Sequence, residues 1–146
     1  GVDVNKTSFV EKTLGSGPEA DFAFGGLMAP MRRGDIVLIP VLFKSEAAFR
    51  QTTLGLKYDD KKLTVRSVTY GDIFGLDQSG MAAAPFLNKG GRTLVSLNSI
   101  SSVGKSGIIA LVELEALADG KPEIAFDNDA MNMMSPAGAS FALNFK

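Results

Sequence analysis

The sequence predicts an all-β protein, two sheets of about nine strands packed as a β-sandwich. Two observations predict it: apolar residues recur at every second position in segment after segment, and glycine, proline and aspartate punctuate the chain between those segments. No stretch reads as a helix, and no long internal repeat is visible. The 146-residue length suits one domain, large enough to bury about 68–70% of its unfolded surface without cross-links.

Residues 1–20, with Gly15-Ser16-Gly17-Pro18 and mixed charges, read as a flexible tail, so the domain is expected over residues 21–146. Asp21 to Gly26 places Phe22 and Phe24 on one side, as a first strand does, and Pro30 to Asp35 supplies a turn. Ile36 to Phe43 is a strand. Pro40 inside it cannot donate to a ladder, which demands an edge position or a bulge. After a loop or short turn at Lys44–Ala48, Leu54, Leu56 and Tyr58 alternate with Thr53, Gly55 and Lys57 in a strand from Phe49. Asp59-Asp60-Lys61 ends it, and Leu63–Tyr70 returns. The long Gly75–Gly91 connection holds a short strand near its end, and Asn88-Lys89-Gly90-Gly91 is a hairpin turn into Arg92–Ser99.

Gly107–Ala118 carries two opposed signals. Its Ala, Leu and Glu residues favour a helix, but Ile108, Ala110, Val112, Leu114 and Ala116 form an apolar face at period two with Glu113 and Glu115 opposite, which predicts a strand. Glu123–Phe126 and Phe141–Lys146 close the sheets. Asp127–Ser140 between them mixes turn residues with Met131, Met133 and Met134, which suit gap-filling in a core better than a contact surface.

The chemistry available is narrow. There is no histidine and no cysteine, which removes the commonest bases, thiol nucleophiles and thiolate metal sites and leaves carboxylates, lysines and hydroxyls. Fifteen basic residues against sixteen acidic ones generate no field for nucleic acid or an anionic bilayer. Glu113 and Glu115 stand roughly 6.5–7 Å apart on one strand face, within the range of an inverting glycosidase pair, but charge opposite an apolar stripe is what a half-buried strand carries anyway. Val103-Gly104-Lys105-Ser106 lacks the earlier glycine of a phosphate-binding loop, because Ser99 stands there. Asp127, Asn128, Asp129 and Asn132 offer oxygen ligands, but their spacing departs from the helix-loop-helix calcium pattern and an ordinary loop is expected. Asn5-Lys6-Thr7 is formally a glycosylation sequon. No catalytic residue, metal site or cofactor is expected.

Leu54-Gly55-Leu56-Lys57-Tyr58-Asp59, then Leu63, then Gly71-Asp72-Ile73-Phe74 resembles the cohesin family, whose members often carry apolar-x-apolar-x-Tyr-Asp-Pro, a nearby Leu, and Gly-Asp with an apolar residue after it. The resemblance extends to Ile36–Phe43, where cohesins commonly hold a proline, and to Gly107–Ala116. Asp60 stands where the family usually has proline. The resemblance implies a flattened jelly roll and a non-catalytic module that docks a dockerin, a small calcium-loaded helical partner, across one flat sheet face. That face is implied to include Gln51, Thr53, Gly55 and Lys57 on one strand, with Thr93, Val95, Leu97 and Ser99 on its neighbour. Family members often place an amide and a carboxylate at the positions of Gln51 and Thr53, and this chain lacks the acid.

Two rival functions follow from the sandwich architecture. A carbohydrate-binding module wants exposed aromatic platforms, yet there is no tryptophan and only Tyr58 and Tyr70, while most of the ten phenylalanines sit at core-like positions. The other is a structural or assembly domain of a secretion or cell-envelope complex. The expected setting is extracellular or in the cell envelope, any export signal having been removed ahead of Gly1, since the first residues are not a signal peptide and no run is long enough to span a bilayer.

Overall fold

The structure is a computed structural model that describes residues 17–26, 29–99 and 106–146. Ten strands form within them: β1 (Glu19–Phe24), β2 (Ile36–Ser45), β3 (Gln51–Tyr58), β4 (Leu63–Tyr70), β5 (Pro85–Lys89), β6 (Arg92–Asn98), β7 (Ser106–Ala116), β8 (Ile124–Phe126), β9 (Asn132–Met134) and β10 (Ala142–Phe145). They make two sheets, ordered β10-β1-β2-β7-β4 and β5-β6-β3-β8, with β9 also paired to β3. The expected all-β sandwich is borne out. The tenth strand is β9, three residues within the stretch expected to be turn and loop.

Every pairing is antiparallel except β1 with β10, which joins the first and last strands side by side. The first strand begins at Glu19, two residues inside the expected tail. Residues 1–16 of that tail, with the sequon, lie outside the described residues, as do Val103 to Lys105. A strand, not a helix, follows Ser106.

The β7 conflict resolves for the strand, because Ala110, Val112, Leu114 and Ala116 enter the core and a helix would scatter them around its axis. Ile108 does not join them. The register steps from Val41–Ala110 to Leu42–Ile108, leaving Ile109 as the extra residue of a bulge. Ile109 is therefore buried and Ile108 only half-buried. Pro40 faces the same irregular region: Gly25 N–H donates to Pro40 O at 2.8 Å, no return bond can form, and β1 has ended at Phe24. Pro40 thus sits inside a central strand, beside the place where one neighbour stops.

Facing rings run through the interior. Phe22 meets Phe43, Phe126 and Phe145 at centroid distances of 5.3, 6.0 and 5.8 Å, and Phe43–Phe49–Phe74–Tyr70 continues the line at 5.2, 5.8 and 4.7 Å. Each fully buried ring or aliphatic side chain stabilises the fold by about 1.5–3 kcal/mol relative to exposure. Met131 and Met133 are buried, as gap-filling predicts, whereas Met134 is exposed.

Candidate docking surface

Strand pairing fixes which side chains share the outer face of the β5-β6-β3-β8 sheet, because residues directly opposite one another project to the same side. The Gly90-Gly91 turn starts the ladder. Both glycines have positive φ, 65° and 79°, as a two-residue hairpin turn requires, and Lys89 lies opposite Arg92. Arg92 lies opposite Lys57, and Lys57 opposite Ala125. The next outward row is Leu87, Leu94 and Gly55. Ser96, Thr53 and Asn132 form the third row, and Asn98, Gln51 and Met134 the fourth.

Gln51 and Lys57 are exposed and Thr53 half-buried, on the side expected of them. Gly55 is on that side too but is covered. A Cβ there would stand 3.0 Å from a methyl carbon of Leu94 and 3.0 Å from Asp127 O, so both neighbours lie over the glycine. Asp127 N–H donates to Gly55 O at 2.9 Å. Asp127 is itself held by Arg92, whose Nε and Nη2 donate to one carboxylate oxygen at 2.8 and 2.5 Å. The resulting ridge of Arg92, Asp127 and Leu94 over Gly55 is the most built part of this face.

The expected β6 residues point the other way. Thr93, Val95 and Leu97 are 0% exposed and Ser99 9%, so all four belong to the interior. The register explains it: Thr93 pairs with Leu56, Val95 with Leu54 and Leu97 with Thr52, all of them inward. Thr93 is satisfied there by donating to Asn88 Oδ1 at 2.8 Å and sharing a hydrogen bond with Tyr58 Oη at 3.0 Å. Asn88 Nδ2 reaches Val65 O in the other sheet at 3.4 Å. The outward residues of β6 are Arg92, Leu94, Ser96 and Asn98. A signal for them was present, since Lys89 and Arg92 flank a two-residue turn and two charges opposite each other belong on the wet side.

Among the described residues, nothing at the surface gathers catalytic groups. Glu113 and Glu115 are both engaged by Arg66, at 3.5 and 3.0 Å, on the outer face of the other sheet. Among the described residues no cluster of three acids can hold a metal ion, and Asp127 is turned to Arg92. Two surface depressions, of about 350 and 410 Å³, are lined largely by apolar residues with a single acid each, Asp35 and Asp129. Among the described residues, the exposed large apolar side chains are all aliphatic or Met, so none offers an aromatic sugar platform. No helix of the described residues is long and apolar enough to cross a membrane.

The comparisons with known proteins agree with this architecture. No curated protein matches the sequence significantly. The chain is similar in fold to a type I cohesin–dockerin complex from Clostridium thermocellum (18% identity, TM-score 0.68, 90% of this chain and 92% of that one). It is similar to the sixth cohesin of scaffoldin B from Acetivibrio cellulolyticus, solved with a dockerin (14%, TM-score 0.70, 88% and 94%). A non-cellulosomal cohesin from the archaeon Archaeoglobus fulgidus is a further neighbour (14%, TM-score 0.63, 87% and 86%). The sequence model of the cohesin domain matches residues 29–138, most of the chain from the turn before β2 to beyond β9. The chain therefore belongs to the cohesin domain family, a family of non-catalytic binding modules.

Proposed function

We propose that this domain is a protein-binding module that docks a dockerin-type partner across the outer face of the β5-β6-β3-β8 sheet. The observation that carries the reading is the composition of that face: half-buried Leu94 at its centre, hydroxyls and amides of Thr53, Ser96, Gln51, Asn98 and Asn132 around it, and the basic residues Lys57, Arg92 and Lys89 gathered in one end row. Such a mixture is typical of a partner surface that must also stay soluble when free. Family membership and the dockerin complexes of two structural neighbours support the kind of partner. They also support an extracellular or envelope setting, in which case the gene encodes an export signal ahead of this domain.

The test is titration calorimetry with each calcium-loaded dockerin module encoded in the same genome. At least one should bind, and Leu94→Asp should abolish its binding while leaving the melting temperature within a few degrees. Binding by none of them, or undiminished binding to the Leu94→Asp variant, rejects this face. A structural or assembly role without a dockerin would then be the better reading.

A further inference from the structure

We infer that the partner meets this face with an acidic patch laid across Lys57, Arg92 and Lys89, and this rests on the docking reading above. The hairpin register sets these three cations abreast on three adjoining strands. With strands about 4.8 Å apart, the two lysine positions stand roughly 9.5 Å from each other on either side of Arg92. Arg92 is already compensated by Asp127. Lys57 and Lys89 are exposed, and among the described residues neither makes an ion pair.

Among the described residues, the acids nearest in sequence and register form no ion pair with them. Asp59 follows Lys57, but one of its oxygens accepts the Lys61 N–H at 3.0 Å within the turn. Glu123 is exposed just before β8 and makes no ion pair among the described residues. Away from this row the ladder is uncharged: Leu87, Leu94 and Gly55, then Ser96, Thr53 and Asn132, then Asn98, Gln51 and Met134. A partner seated on Leu94 therefore brings its flank against two uncompensated ammonium groups. Basic groups there are repelled, and carboxylates are steered in and held. The basic side chains of the ladder sit at one end alone, so they fix which way round the partner lies as well as its sign.

The experiment uses the dockerins that bind in the titration above, measured against the wild type, Lys57→Gln/Lys89→Gln and Lys57→Glu/Lys89→Glu at about 50 and 500 mM NaCl. Both lysines are exposed, so the variants should melt within a few degrees of the wild type. Affinity at low salt should fall severalfold in the glutamine variant and at least tenfold in the glutamate variant, mostly through the association rate. High salt should narrow the gap. Equal or tighter binding by the glutamate variant overturns the acidic patch while Leu94→Asp still reports on the face itself. If no dockerin binds at all, the docking reading falls and the acidic patch falls with it.

Discussion

Leu97→Ala should destabilise the domain by about 3–4 kcal/mol, while Leu94→Ala, on the same strand, should cost about 1 kcal/mol or less. Leu97 is 0% exposed in the main cluster, opposite the equally buried Thr52. Truncation removes three carbons, ~2.4 kcal/mol at ~0.8 kcal/mol per buried CH₂, and the cavity left behind adds ~1–2 kcal/mol because a sandwich of facing rings and aliphatics collapses only partly. In a chain of this size that lowers the melting temperature by roughly 6–16 °C. Leu94 rests on Gly55 with its outer side in solvent, so most of what it loses on truncation is contact with one neighbour. Urea unfolding followed by circular dichroism measures both, with equal m values expected for the two variants. If Leu94→Ala were the costlier change, β6 would be turned the other way round and the outward ladder would be wrong from Arg92 to Asn98.

Two further perturbations probe the same sheet. Gly91→Ala should cost at least ~2 kcal/mol, because at φ 79° its Cβ would stand 2.3 Å from Tyr58 O, whereas Gly90→Ala meets nothing within 4 Å and should cost only the left-handed backbone penalty, about 1–2 kcal/mol; thermal melts of the pair give the comparison. Asp127→Ala should cost roughly 1–2 kcal/mol by releasing Arg92, the lower end being favoured because the Arg92 side chain is half exposed; a change below about 0.3 kcal/mol in urea unfolding would show that the ion pair is not coupled to the fold.

Period-two alternation made most of the strands legible, since a buried sheet face imposes it whatever the side chains are. It worked best where inward and outward sets differ in polarity, as on β3, whose outward residues Gln51, Thr53 and Lys57 were placed correctly. It failed on β6, where Thr93, Val95 and Leu97 alternate with Leu94 and Ser96 and each set mixes a hydroxyl with aliphatics. There only the turn fixes the phase. Ile108 was misplaced for another reason: a bulge adds one residue between two regular stretches, and alternation counted straight through it cannot register the step. The strand β9 was missed because three residues flanked by turns carry too little pattern. Asp127 was visible as an acid in a loop, but its ion pair with Arg92 depends on β6 and β8 flanking β3 in the folded sheet.

The outer face of the other sheet is the more apolar of the two, and this bears on which one docks. Ile36, Leu38 and Leu42 are 52%, 54% and 41% exposed along β2, beside Leu111 and the half-buried Ile108 of β7. Exposed apolar side chains by themselves are common on soluble proteins, and a non-obligate interface is about as polar as the surface around it, so greater greasiness does not identify the docking face. Contact energy concentrates instead in a small desolvated centre with polar surroundings, which is how Leu94 is set among Thr53, Ser96 and Leu87. On its β7 side the β2 stripe is bordered by Glu113 and Glu115, tied to Arg66 opposite Leu38 and Ile36, and a partner seated there would have to take those charges out of water. A Leu38→Asp/Leu42→Asp variant should therefore keep dockerin affinity within about threefold and gain solubility, while Leu94→Asp loses binding. The reverse pattern in calorimetry, capture lost with the β2 changes and kept with Leu94→Asp, would move the partner to the opposite side of the sandwich.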